Sequence, residues 1–139
     1  MKLSKILGQS MQADAEQKKA IRFMTKHYLR TIASTQRLLN YATVSARRPP
    51  DTQFVGDGLF AWWDAFMNPA RPEYADIFSS RELESLRRYD AVIRSFHETS
   101  PDRDLPIQKF VRTTKFDEIS NAARYCNRSF KRFWIFYVA

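Results

Sequence analysis

The segment that decides the fold is QKKAIRFMTKHYLRTIASTQRLLNYATVSARRPP, which occupies residues 17–50. No Gly or Pro interrupts it before Pro49, and its apolar residues recur at helical spacing, with the basic residues on the opposite side. We therefore expect a helix from about Ala13 to about Ser45, ended by Pro49 and Pro50. The apolar stripe consists of Ile21, Met24, Tyr28, Ile32, Leu39 and Ala42.

The same segment carries a very uneven charge. It has eight basic residues and no acid, whereas the rest of the 139-residue chain is balanced at 15 basic and 15 acidic residues, so the net charge of +8 lies here. Such a local excess of positive charge attracts anionic partners. Residues 51–118 carry a net charge of −4 and residues 119–139 one of +4, so the chain reads basic, acidic, basic.

Two segments in the acidic middle also read as helices. The first runs from Asp57, a favourable N-cap residue, to a stop at Asn68 and Pro69. The second begins with a capping box, in which Ser79 and Glu82 each bind the other's backbone N–H. These signals predict one short helix and one longer helix.

The last segment, from about Thr114, has apolar residues at alternating spacings of 3 and 4. This pattern favours a helix with one face in the core. Cys126 lies on that face, which predicts a buried thiol that reacts slowly. Residues 133–138 fit either a helix or a strand. The stripe consists of Phe116, Ile119, Ala123, Cys126, Phe130, Phe133 and Tyr137.

Together these segments predict an all-α fold, an irregular bundle of four to five helices with a long N-terminal amphipathic helix. We interpret residues 1–139 as one domain and residues 1–12 as a flexible or separate N-terminal turn. The single cysteine excludes an intrachain disulfide and favours a cytoplasmic protein. No stretch reaches the roughly 18 apolar residues of a membrane span.

Catalytic motifs are absent from the sequence. His27 and His97 lack the spacing of metal ligands, and three scattered Gly residues cannot form a phosphate-binding loop. We therefore expect no catalytic residue, no metal and no cofactor. For Asp64, which follows two tryptophans, we expect an ion pair with one of the many arginines.

The function we expect is non-enzymatic binding of an acidic macromolecular partner, preferably a protein, in an inhibitor, immunity, adaptor or regulatory role. A net-negative middle would repel a polyanion that lay across the domain, so nucleic-acid binding is the alternative. A small enzyme with an unrecognised site is the second alternative, and a membrane surface is disfavoured because the last apolar stripe suits a core. The oligomeric state stays open.

The candidate binding residues come from the two basic segments. Five bases of the first segment, from Lys19 to Arg37, should form one exposed strip without acid partners, and Phe23 and Tyr41 flank it as aromatic anchors. The competing interpretation is a solvated face that lies against the acidic middle of the same chain. The full set comprises Lys19, Arg22, Phe23, Lys26, Arg30, Arg37, Tyr41, Arg124, Arg128, Lys131 and Arg132.

Overall fold

The computed structural model describes the backbone of residues 3–45 and 54–138, and the side chains of residues 15–44 and 54–130. Within these ranges the chain forms α-helices and short 3₁₀ helices without a β-strand, which confirms the all-α bundle. The α-helices are α1 (Leu3–Ile32), α2 (Thr35–Ser45), α3 (Gly58–Phe66), α4 (Ser80–Thr99), α5 (Ile107–Phe110) and α6 (Thr114–Val138). The 3₁₀ helices at Pro72–Asp76 and Pro101–Asp104 precede and follow α4.

The predicted single helix from Ala13 to Ser45 is wrong, because the chain turns between α1 and α2. The Ser34 amide donates to the carbonyl of Thr31 at 3.2 Å, and the Ser34 hydroxyl accepts from the Arg37 amide at 3.3 Å. Ser34 is thus the N-cap of a new helix, a role that a short hydroxyl side chain performs well. The basic residues of α1 and α2 therefore do not share one straight face.

The buried face of α1 is rotated from the predicted stripe. Thr25 and Leu29 are fully buried beside Tyr28, whereas Met24, which we assigned to the core, is 39% exposed. Thr25 can be buried because its hydroxyl donates to the carbonyl of Ile21 at 2.7 Å. The rotation brings the neighbouring position, Arg22, to the edge of the core.

Helix α4 begins as predicted. The Ser79 hydroxyl accepts from the Glu82 amide at 3.1 Å, and the Glu82 carboxylate accepts from the Ser79 amide at 2.8 Å, which confirms the capping box. Asp57 does precede α3, but its side chain makes no capping hydrogen bond. Asp57 therefore occupies the predicted N-cap position, but its carboxylate contacts His97 Nδ1 at 2.7 Å instead of a backbone amide of the helix.

Helix α6 packs along both α4 and α1. The predicted stripe from Phe116 to Phe130 is buried, including Cys126 at 1% exposure, which confirms the core assignment of that thiol. The ambiguous residues 133–138 belong to α6 in the structure. This arrangement places one side of α6 against α1 and another against α4.

An aromatic group joins α1, α3 and α4 in the core. Tyr28, Trp63 and Tyr89 are almost completely buried, and their ring centroids lie 4.9 to 5.7 Å apart. The Tyr28 hydroxyl donates to the Leu59 carbonyl at 2.9 Å, so the Tyr89 hydroxyl, 2.6 Å away, donates to Tyr28. Burial raises the pKa of both tyrosines, which keeps these hydroxyls protonated.

Candidate protein-binding surface

Arg22 is the predicted site residue that the structure moves furthest from its expected role. Its guanidinium donates to both carboxylate oxygens of Glu82, each at 3.0 Å, and also to the carbonyl of Ile77 at 2.9 Å. The prediction of one exposed strip without acid partners is therefore wrong at this position. The planar guanidinium matches a carboxylate with two parallel hydrogen bonds, a geometry that lysine cannot provide.

The capping box of α4 also positions the Glu82 carboxylate, independently of Arg22. Glu82 is the third residue of α4, and its carboxylate points back over the first turn towards the Ser79 amide. The Glu82 side chain has no exposed area, and its oxygens accept three hydrogen bonds from Ser79 and Arg22. A buried carboxylate with these partners is stable only while they remain.

Aromatic rings complete the surroundings of this pair. The Arg22 guanidinium carbon lies 5.5 Å from the centroid of Phe78 and 5.6 Å from that of Phe130, within the range of a cation–π contact. Because Phe130 belongs to α6, the contact joins α1, the start of α4 and α6. We call Arg22, Glu82, Phe78 and Phe130 the buried node, and its role is structural.

A neighbouring face of α1, about 80° around the helix axis from Arg22, differs completely in its contacts. Lys19, Phe23 and Arg30 are spaced by 4 and 7 residues, so they share one line along the helix, and all three are exposed. Phe23 is 71% exposed, and its ring stacks at 6.3 Å on the exposed ring of His27. Among the described residues, neither Lys19 nor Arg30 forms an ion pair with a carboxylate. We call Lys19, Phe23 and Arg30 the outer stripe.

The remaining candidates of this segment divide between the fold and the surface. Lys26 is half-buried and makes contacts within the chain, whereas Arg37 on α2 is exposed. Tyr41 is half-buried, stacked on Trp62 with ring centroids 4.3 Å apart and edge-on to Phe54. The Tyr41 ring therefore holds α2 on α3. Of the two predicted aromatic anchors, only Phe23 is exposed to solvent.

The basic candidates on α6 serve different neighbours. Arg124 donates to the carbonyl of Ala33 at 2.9 Å and so binds the end of α1, where a positive charge is favourable. Arg128 is exposed and lines a cleft between α4 and α6. The side chains of Lys131 and Arg132 lie outside the described residues.

Sequence reasoning missed most of the residues of that cleft. Arg81, Glu84, Ser85 and Arg88 follow one face of α4, and Tyr125, Arg128 and Ser129 face them from α6. The signal was present in the spacings of 3 and 4 on each helix. A count of net charge hides this signal, because the acids of residues 51–118 outnumber the arginines of the same segment.

A second charged cluster joins α3 and α4. Arg94 lies 3.3 Å from Asp90 and 3.6 Å from Asp64, which confirms the ion pair expected for Asp64. Hydrogen bonding to Asp90 raises the pKa of the Arg94 guanidinium, and Asp90 also accepts from Trp63 Nε1 at 2.8 Å. The cluster therefore joins two helices.

The side chains that could bind a metal or act as a nucleophile are dispersed or buried in the described residues. In the part of the chain that the structure describes, no three His, Cys, Asp or Glu side chains cluster as metal ligands do. Burial, followed by the nearby Glu82 charge, raises the pKa of the Cys126 thiol from 9.0 to about 12. That thiol is therefore protonated at neutral pH, which is the inert form.

Comparison of this chain with known proteins identifies no relative. No protein-family model matches the sequence, and neither the curated proteins nor the solved structures give a significant match. No helix within the described residues combines the length and apolar character that crossing a bilayer requires.

Proposed function

We propose that this protein is a non-enzymatic binding protein whose outer stripe engages an acidic segment of a protein partner. The observation that carries the proposal is Phe23, a large aromatic ring that is 71% exposed and lies on one line with Lys19 and Arg30. An aromatic ring beside Arg is the composition of energetic anchors in protein interfaces. Inhibitor, immunity, adaptor and regulatory proteins all work through such contacts.

Charge supports the same partner. The outer stripe belongs to the segment from Gln17 to Pro50, which has no acid, and it spans about 16 Å along α1. An acidic segment of one or two helical turns would match that length. Because Lys19 and Arg30 form no ion pair with a described carboxylate, they can meet a partner's carboxylates without first losing an internal contact.

An acidic protein explains the surface better than a nucleic acid does. Phosphate binding requires basic residues alone, and it gives no reason for a phenyl ring at the centre of the stripe. The acidic middle of the chain, at a net charge of −4, would also repel a long polyanion. Phe23 accordingly serves as the anchor, and the two bases orient the partner.

Fluorescence anisotropy with labelled polymers tests this function. The probes are a random copolymer of glutamate and tyrosine, polyglutamate without tyrosine, and a short DNA duplex. We expect the copolymer to bind more tightly than polyglutamate, because its rings contact Phe23. Both Phe23→Ala and Arg30→Ala should weaken copolymer binding about tenfold.

The control is Arg71→Ala, which removes one exposed positive charge outside the outer stripe and should change the affinity less than about twofold. Equal weakening by Arg71→Ala would reduce the interaction to net charge and overturn the proposal. Tighter binding to DNA, with a slope of log affinity on log salt near −0.9 per phosphate contact, would instead identify a nucleic-acid-binding protein.

A further inference from the structure

The cleft between α4 and α6 is a second basic surface that shares no residue with the outer stripe. It encloses about 250 Å³, and its lining is mostly polar. Among the described residues of the lining, Arg81, Arg88 and Arg128 supply three guanidinium groups and Glu84 supplies the only carboxylate. The remaining lining residues are Ser85, Tyr125 and Ser129.

The packing of two helices builds this cleft. On α4, Arg81 and Arg88 are seven residues apart, so they lie two turns apart on the same side. On α6, Tyr125 and Arg128 are three residues apart and face α4 from the other wall. Since α4 and α6 pack along each other, the three arginines line one space although they are distant in sequence.

The charges in the cleft are not balanced internally. Glu84 pairs with Arg88 at 2.9 Å, but both side chains are about two-thirds exposed, so this pair holds Arg88 weakly. Arg81 and Arg128 are exposed and have no carboxylate partner among the described residues. The described lining residues therefore carry a net charge of +2, and two of their guanidinium groups are open to a ligand.

We propose that this cleft binds a phosphomonoester carried on an aromatic group. A phosphomonoester has a charge of about −1.5 to −2 at neutral pH, which matches the lining, and its three terminal oxygens suit several guanidinium forks. The Tyr125 ring is 58% exposed at the rim, where it can stack on the ring of the ligand. Arg81 and Arg128 bind the phosphate, and Glu84 reduces the affinity by its negative charge.

Isothermal titration with phenyl phosphate tests the site, with inorganic phosphate and phenyl sulfate as comparison ligands. Phenyl phosphate should bind most tightly, because inorganic phosphate lacks the ring and phenyl sulfate carries one negative charge fewer. Arg128→Gln and Arg81→Gln should each lower the affinity for phenyl phosphate about tenfold. Tyr125→Ala should weaken the binding of phenyl phosphate and leave the affinity for inorganic phosphate unchanged.

Two further variants separate a built site from general charge. Arg87→Gln removes an exposed arginine of α4 that does not line the cleft, and it should change affinity less than about twofold. Glu84→Gln should strengthen binding a few-fold, because it removes the only carboxylate of the lining. Circular dichroism verifies that each variant keeps its helices.

Three results would overturn the proposal. The first is the absence of measurable heat with phenyl phosphate at millimolar concentrations, and the second is equal weakening by Arg87→Gln and Arg128→Gln. The third is an affinity that does not fall when the pH is lowered through about 6, where a phosphomonoester loses its second charge. Because the outer stripe is intact in every variant, failure here leaves the binding of acidic polymers unchanged.

Discussion

Arg22 and Arg30 lie on the same helix, two turns apart, and the structure gives them opposite roles. Arg22 is bound to a carboxylate without exposed area and contacts two phenyl rings, whereas Arg30 is exposed and has no carboxylate partner among the described residues. Both belong to the same acid-free segment, residues 17–50. The difference therefore depends on which element packs on each face of α1, and it divides the described basic residues of this helix into a part that holds the fold together and a part that is exposed.

The largest effect should come from breaking the buried node. Arg22→Ala removes the guanidinium from Glu82 and leaves a buried carboxylate without its counter-ion, which should lower the free energy of unfolding by about 3–5 kcal/mol. Urea denaturation followed by circular dichroism measures the change. A loss below about 0.5 kcal/mol would show that Arg22, like an exposed arginine, contributes little to stability, and the two arginines would then not differ in role.

A double variant sharpens this test. Arg22→Met combined with Glu82→Gln removes both charges and keeps an acceptor for the Ser79 amide. This double variant should be more stable than Arg22→Ala alone, because no unpaired charge is buried. Equal instability of the two proteins would mean that shape, and not charge, sets the cost at the node.

The second effect concerns the inner face of α1 at Tyr28. Tyr28→Phe deprives the Leu59 carbonyl of its donor and the Tyr89 hydroxyl of its acceptor, so we expect a loss of about 1–3 kcal/mol. Thermal and urea unfolding both measure it. Tyr125→Phe, at an exposed ring, is the matched control and should change stability by less than about 0.5 kcal/mol.

Local sequence patterns predict some features of this structure and miss others. The helical elements, the capping box at Ser79 and the burial of Cys126 follow from spacing and local hydrogen-bonding chemistry, which are properties of neighbouring residues. The turn at Ser34 was missed because neither Gly nor Pro marks it and the apolar spacing continues through Leu38. A hydroxyl residue that can cap a helix was the available signal.

The candidate site was harder to predict, because pairing across the bundle leaves no local pattern. Glu82 is 60 residues from Arg22, and only the packing of α4 near α1 brings the two together. The cleft arginines, Arg81 and Arg128, are similarly joined by the contact of α4 with α6. A helical wheel identifies the polar side of each helix, but it does not say which charges a partner helix will neutralise.

A third, smaller effect tests how Glu82 is positioned. Ser79→Ala removes the hydroxyl that accepts from the Glu82 amide at 3.1 Å, and it should cost about 1 kcal/mol of stability. Ser80→Ala, at the adjacent exposed serine, controls for the change in side chain. Equal denaturant midpoints for the two variants would show that the capping box does not hold the node.

The fourth effect links pH to the node through Cys126. The thiol pKa is raised from 9.0 in the unfolded chain to about 12 in the folded protein, first by burial and then by Glu82. The folded state therefore retains a proton that the unfolded state loses, so this contribution is complete below pH 9 and declines as the pH rises from 9 to about 12.

Unfolding free energies measured at pH 8 and pH 10 test this linkage. The wild-type protein should lose up to about 1 kcal/mol more over this interval than Cys126→Ala does. Identical losses in the two proteins would mean that the thiol does not titrate differently on folding and that it lies outside the influence of the node.

The most direct test of the central claim compares Arg22→Ala with Arg30→Ala in two measurements, urea unfolding and binding of the glutamate–tyrosine copolymer. We predict that Arg22→Ala loses about 3–5 kcal/mol of stability, whereas Arg30→Ala stays within about 0.5 kcal/mol of the wild type and binds the copolymer about tenfold more weakly. The claim would be contradicted by a protein that loses several kcal/mol with Arg30→Ala, or that keeps full copolymer affinity without the Arg30 side chain.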